Sequence, residues 1–168
     1  TLPDDYVYVE ADFIGLCNSL TTLNLGGASN FIIEESWLAG FNSLKTITVS
    51  ANNQYLHVKN GILYNNYEMI VRCPAQLDVK EIIINETPYD YAFYGNQFIE
   101  KATINSYQLS KGLFEDCISL KSVELNPNIE YIPFACFRDC QNLETINLDN
   151  IRSYGIQALF KTKFDTGD

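Results

Sequence analysis

Positive charge is scarce in this chain: eleven Lys and Arg residues stand against twenty-one Asp and Glu, a formal net charge of -10 at pH 7. That balance repels nucleic acid and anionic membrane, and the cations are scattered singly apart from pairs such as Lys161 and Lys163, so no basic patch offsets it. Long apolar runs are missing too. The longest conspicuous one, Ile82-Ile83-Ile84, falls far short of the roughly 18 residues that a membrane helix needs. No basic and then apolar leader opens "TLPDDYVYVEADF", so any secretion signal has been removed or lies outside this stretch.

Catalytic raw material is equally thin. His57 is the sole histidine, which excludes a two-His metal site and leaves a triad no second imidazole; a loop position before a hairpin is the expected role. Asp4-Asp5 and Glu34-Glu35 are neighbours along the chain rather than converging acid and base, and read as solvated surface. Neither G-x-x-x-x-G-K-[ST] nor G-x-G-x-x-G occurs. No nucleophile, base and oxyanion donors can be assembled, so a non-catalytic protein without cofactor or metal is expected.

What the chain has is a repeated frame, with 46% hydrophobic and 13% aromatic residues to fill a core. "FRDCQNLETINL" from Phe137 restates "FEDCISLKSVEL" from Phe114. An opening apolar residue is followed by a small or polar one at +3 and apolar ones at +6, +9 and +11. Phe137, Cys140, Leu143, Ile146 and Leu148 fit, as do Phe114, Cys117, Leu120, Val123 and Leu125. So do Phe93, Asn96, Ile99, Ala102 and Ile104, and the sets beginning at Leu38 and Ile14. A further apolar residue stands five places before each start, as Val9, Ile33, Leu109 and Ile132, with Pro88 the exception. A sixth copy opens at Tyr154 and Leu159.

Each copy ends in a two-residue alternation such as Ile47-Thr48-Val49, the period of a strand. Units of 21 to 24 residues leave room for one strand, a turn and a short helical or irregular return. One unit alone buries too few apolar side chains to offset the entropy of ordering it, so the copies must stack, with their strands in one parallel sheet along a solenoid. The long gap between Val49 and Ile104 holds a modified copy. "NGILYNNYEMIVRCP" reads as two short apolar runs around an Asn-Asn turn, a β-hairpin, and "EIIIN" adds one more strand.

The stretches "CNSLTTLNL", "CISLKSVEL" and "CQNLETINL" resemble leucine-rich repeats. More narrowly, "YIPFACFRDCQNLETINL" resembles the BspA-like subclass, I-G-x-x-A-F-x-x-C-x-x-L-x-x-I-x-I-P. "NQYLHVKNGILYNNYEMIVRCPAQ" resembles its intercalated hairpin unit, Y-x-x-x-D-G-V-L-Y-N-K. The resemblance covers residues 9–159. It departs after the strands, where Gly26, Ser50, Asn105 and Asp149 stand in place of Pro and only Pro74 and Pro127 keep it.

The resemblance implies an α/β repeat: a right-handed leucine-rich-repeat solenoid of six or seven coils, with a parallel β-sheet on its concave face and an intercalated β-hairpin unit at about residues 50–85. One domain is expected over 1–168, a segment of a longer protein. The family is associated with the surface or secretions of oral and gut bacteria and parasitic protists, and with adhesion to host cells, matrix proteins or other microbes. It therefore implies a cell-surface or secreted binding module whose partner is a host or microbial protein or glycan. An intracellular protein-protein interaction scaffold is the alternative.

Within that frame, Cys17, Cys117 and Cys140 occupy one repeat position facing inward, Cys73 replaces a strand aliphatic and Cys136 stands where the family has Ala. Structural thiols are expected rather than disulfides or metal ligands. The opposite strand face is the candidate binding surface. One row carries Asn24, Thr48, Arg72, Thr103, Glu124 and Asn147, and a second carries Thr22, Thr46, Lys101, Ser122 and Thr145. Such a face suits recognition of a protein or glycan, although Thr and Ser suit exposed strands in any case. Tyr89, Tyr91 and Tyr94 offer either an interface or packing over the hairpin. Asn85-Glu86-Thr87 is the one N-glycosylation sequon, followed by Pro88.

Overall fold

Alternation at the end of each repeat does produce strands, and they pair in register with the next copy. A computed structural model describes residues 19–27, 40–165 and 167. The first repeat start with Ile14, Cys17 and Val9, the pair Ile33 and Leu38, and the carboxylates Asp4-Asp5 and Glu34-Glu35 lie outside the described residues. Strand β1 (Thr22–Leu25) lies parallel to β2 (Thr46–Val49), with Leu23 opposite Ile47. Downstream, β6 (Glu81–Ile84), β7 (Lys101–Ile104), β8 (Ser122–Leu125) and β10 (Thr145–Ile146) form one four-stranded parallel sheet that places Ile82, Ala102, Val123 and Ile146 on successive rungs.

Between those sheets lies the modified copy. Here β3 (Leu56–Lys59), β4 (Ile62–Asn65) and β5 (Ile70–Arg72) make an antiparallel meander. The expected hairpin is β4–β5, whose turn is held by the Asn65 side chain: its Oδ1 accepts the amides of Tyr67 and Met69, each at 3.0 Å. Strand β3 is an addition to that expectation. It joins β4 through Asn60-Gly61, whose φ values of 53° and 81° are both left-handed, as a two-residue hairpin turn requires. His57, expected in a loop, is a residue of β3; its ring stacks on Tyr64 and its Nε2 lies 3.3 Å from Glu68 Oε1.

The return segments, read as short helical or irregular, are a regular succession of turns. Two places before each buried opening residue the backbone is left-handed, at Tyr91, Gly112, Ala135 and Gln157. Two places after it the same holds, at Gly95, Asp116, Asp139 and Lys161. With φ reversed at these points, alternate amides face the next coil: Phe93 N donates to Leu113 O at 3.0 Å, Phe114 N to Cys136 O at 2.8 Å and Phe137 N to Ala158 O at 2.9 Å. A left-handed non-glycine residue costs about 1 kcal/mol, and a regular coil-to-coil ladder on this flank offsets it. Stacking is thus hydrogen-bonded on two sides of the solenoid, by strands on one and by turns on the other.

The interior explains the repeated skeleton. Phe93, Phe114 and Phe137 stack face to face at centroid distances of 5.1 and 5.7 Å and are fully buried. At +3, the Cys117 thiol donates to Phe93 O at 3.1 Å and the Cys140 thiol to Phe114 O at 3.0 Å. Asn96 occupies the same place in its coil and uses its amide to join Pro74 O (2.9 Å) and Leu77 O (3.1 Å). The copies opening at Phe93, Phe114 and Phe137 keep the aromatic because its ring stacks on its counterpart one coil away, and they keep a donor at +3 because it reaches a main-chain carbonyl of the preceding coil. Cys73, Cys117, Cys136 and Cys140 are all free and buried.

Asn105, one of the departures from Pro after the strands, has a physical reason. Asn126 Nδ2 donates to Asn105 O at 2.7 Å, and Asn105 Nδ2 to Asn85 Oδ1 at 2.8 Å, so side-chain amides continue the coil-to-coil bonding where the ladder ends. A smaller strand pair, β9 (Tyr131–Ile132) with β11 (Ser153–Tyr154), closes the last two coils on another flank. Among the described residues no helix is long and apolar enough to cross a membrane.

Candidate functional site

The two polar rows are not continuous. Thr22 pairs with Thr46 and Asn24 with Thr48 on β1–β2, where the Thr48 hydroxyl donates to Asn24 Oδ1. The other members are carried by the four-stranded sheet. Lys101, Ser122 and Thr145 stand abreast, with the Thr145 hydroxyl donating to Ser122 Oγ at 2.9 Å, and Thr103 stands beside Glu124. Asn147 lies just past β10, and its amide is taken up by the main chain of Leu125, accepting from N at 2.7 Å and donating to O at 2.9 Å.

Arg72 does not belong to this surface. The expectation assumed that the modified copy continued the parallel ladder. Instead β5 pairs antiparallel with β4, all three of its residues are buried, and the Arg72 side chain has no exposed surface. Its Nη1 donates to Tyr91 O at 2.8 Å, and Nε and Nη2 have no hydrogen-bond partner among the described residues. Loss of solvent pulls the guanidinium down to about 10. The interruption separates the β1–β2 face from the larger one.

Two residues left out of the rows complete the larger face. Glu81 stands opposite Lys101, and Ile83, 61% exposed, stands opposite Thr103. The alternation of "EIIIN" was the available signal: with Ile82 and Ile84 turned toward the core, Ile83 had to face out. Along the upstream edge of this sheet the charges alternate. Glu100 lies 3.9 Å from Lys80 and 2.7 Å from Lys121, whose hydrogen bond holds the Glu100 carboxyl below the usual range and pushes the Lys121 ammonium up. Local charge is therefore nearly balanced on a chain that carries -10 overall.

The tyrosines of "TPYDYAFYGNQF" are half-buried. Tyr89 packs against the cluster formed by Leu63 and Val71, and its hydroxyl accepts from Asn65 at 3.3 Å. Tyr91 and Tyr94 meet edge to face at 6.3 Å, and burial, then Asp116, pushes the Tyr94 hydroxyl up to about 12. Packing is the geometry found, over the hairpin for Tyr89 and over the turn ladder for the other two. The sequon residue Asn85 is exposed at the end of β6.

A separate groove of about 800 Å³ crosses three successive coils through residues 87–90, 107–111 and 128–133. Tyr107 and Tyr131 project from its wall with 72% and 48% of their surface exposed. Neither tyrosine falls on a framework position of the repeat, and sequence reasoning passed over both. An aromatic standing outside the frame was the signal that marked them. The site offers hydrogen-bonding and stacking groups rather than a nucleophile aligned with a base.

A family model described as BspA type leucine rich repeat region, in six copies, matches residues 68–166. Two solved structures share the fold. One is the pneumococcal vaccine antigen PcpA, with a TM-score of 0.65 and 21% identity, covering 81% of this chain and 35% of that one. The other is a leucine rich cell surface protein from Faecalibacterium prausnitzii A2-165, with a TM-score of 0.71 and 18% identity, covering 84% of this chain and 39% of that one. The matched stretch is thus well under two thirds of either protein. No curated protein matches the sequence.

Proposed function

Because the chain belongs to the BspA-type leucine-rich repeat family, whose repeats are protein-binding modules, we propose that it acts as a non-catalytic adhesion module at the cell surface or in secreted form. On this reading it recognises host or microbial proteins or glycans through its solenoid surface. The observation that carries the proposal is the larger sheet face: Lys101, Thr103, Ser122, Glu124 and Thr145 stand in register on β7, β8 and β10, and exposed Ile83 flanks Thr103 on the edge strand β6. An exposed apolar side chain beside a row of hydrogen-bonding and charged ones supplies both kinds of contact that protein-recognition patches use. The Faecalibacterium protein that shares the fold is a cell surface protein, which supports the proposed location.

The immobilised domain is expected to bind saturably to at least one among purified matrix proteins, host cells and microbial cells. Ile83→Asp and Glu124→Lys should each weaken that binding by about tenfold or more, as buried anchors and contacting charges do. Absence of saturable binding across those panels, or binding indifferent to both substitutions, would overturn the assignment to this face.

A further inference from the structure

We propose that the groove beside Tyr107 and Tyr131 is a binding site for a neutral carbohydrate chain. It goes beyond the sheet-face reading and stands apart from it: no residue of β6, β7 or β8 lines the groove.

Charge decides the ligand class first. The ionised groups at the groove are paired with opposite partners, Asp90 with Lys111 Nζ at 3.9 Å and Glu130 with Arg152 at 3.1 Å. No sign is left over to attract an anion or a cation, despite the net charge of -10. Shape comes next. The volume of about 800 Å³ lies within the roughly 300–1,000 Å³ of small-ligand sites, and the groove runs across coils, so it suits a short linear chain.

The wall chemistry then separates a sugar from a peptide. Tyr107 and Tyr131 are exposed aromatic rings, which can serve as apolar platforms for the C–H face of a pyranose while their hydroxyl ends remain polar. Around them stand Gln108 and Asn128, which both donate and accept, and the carboxylates of Asp90 and Glu130, which only accept. A proline-rich segment brings main-chain carbonyls and apolar rings but few donors, so it would leave unused the acceptor capacity that those carboxylates keep beyond their ion pairs. Sugar hydroxyls donate and accept at once and match the set. The floor is fixed rather than adaptable, since buried Ser110 donates to Pro88 O at 2.5 Å and Lys111 N to Asp90 Oδ1 at 2.9 Å.

The test uses the intact protein and defined neutral probes: maltopentaose, cellopentaose, mannopentaose and N-acetyllactosamine, with an octaproline peptide for comparison. Saturation-transfer NMR is expected to show saturable binding of at least one sugar, with the strongest transfer at ring C–H protons. Tyr107→Ala and Tyr131→Ala should each weaken it about tenfold or more, while Tyr107→Phe, which keeps the ring, stays within about threefold. Both rings are exposed, and circular dichroism verifies that the variants fold. Failure of every sugar to bind, binding unaffected by the alanine variants, or binding of the octaproline alone overturns the proposal. Ile83→Asp should leave sugar binding unchanged, so loss of the sheet-face reading and loss of this one are separately visible.

Discussion

Four cysteine sulfurs lie out of reach of water, and desolvation dominates their acidity. Burial pushes the Cys73 thiol up to about 12 and those of Cys117, Cys136 and Cys140 well above the ordinary value. An unfolded thiol ionises near pH 9 while the folded one does not, so the stability these groups hold is fully present below pH 9 and is lost as pH rises through the window to 12 and beyond. Tyr94, raised to about 12, adds to the loss above pH 10. Arg72, lowered to about 10, works in the opposite direction above that pH, and one guanidinium does not cancel four thiols. Urea unfolding at successive pH values should show stability falling steeply above pH 9, with a shallower slope in a Cys117→Ala, Cys140→Ala double variant. A flat profile to pH 10.5 would contradict the burial of these sulfurs. The inward place of Cys117 and Cys140 was legible from their shared repeat position. Arg72 was not, because alternation assigns a face only once the pairing partner is known.

At the scale of the element, the frame positions set the strands, and turn chemistry decided what lay between them. "KNGI" carries a two-residue Asn-Gly turn signal, so strand β3 was in principle readable; the Asn-Asn turn that follows so closely masked it. Gly61 holds φ at 81°, and a Cβ there would come within 2.8 Å of Leu77 Cδ1. Gly61→Ala is expected to destabilise the protein by about 1–2 kcal/mol. Gly155 is the harsher case, since a Cβ would stand 2.4 Å from Phe134 N, and a main chain cannot swing aside as a leucine tip can. Gly155→Ala should therefore lower the melting temperature more than Gly61→Ala. The reverse order would show that the last coils accommodate the intrusion by moving apart. The left-handed turns on the return side were not legible: Tyr91 and Ala135 are residues that local preference keeps out of that conformation, and their amides are taken up by Lys111 O and Ile156 O of the neighbouring coil.

For the whole molecule, stacking is the source of order. Fully buried Phe114 touches both Phe93 and Phe137, so it couples the coil before to the coil after. Phe114→Ala is expected to cost about 3–5 kcal/mol. In a quasi-one-dimensional array the loss should spread outward from the break. Hydrogen exchange should accelerate at the amides of β7 and β8 alike, whereas acceleration confined to the mutated coil would mean that the coils are energetically independent. The same coupling explains why the fold could be read from five short matching frames, while the two candidate surfaces could not be placed until the coils were stacked.

The two flanks of hydrogen bonds, from strands and from turns, run from coil to coil and so lie along the stacking direction. Tension applied along that axis meets them in series. A molecule tethered in flowing fluid would yield by peeling one coil at a time, lengthening in increments and dissipating work at each step, as a shock absorber does.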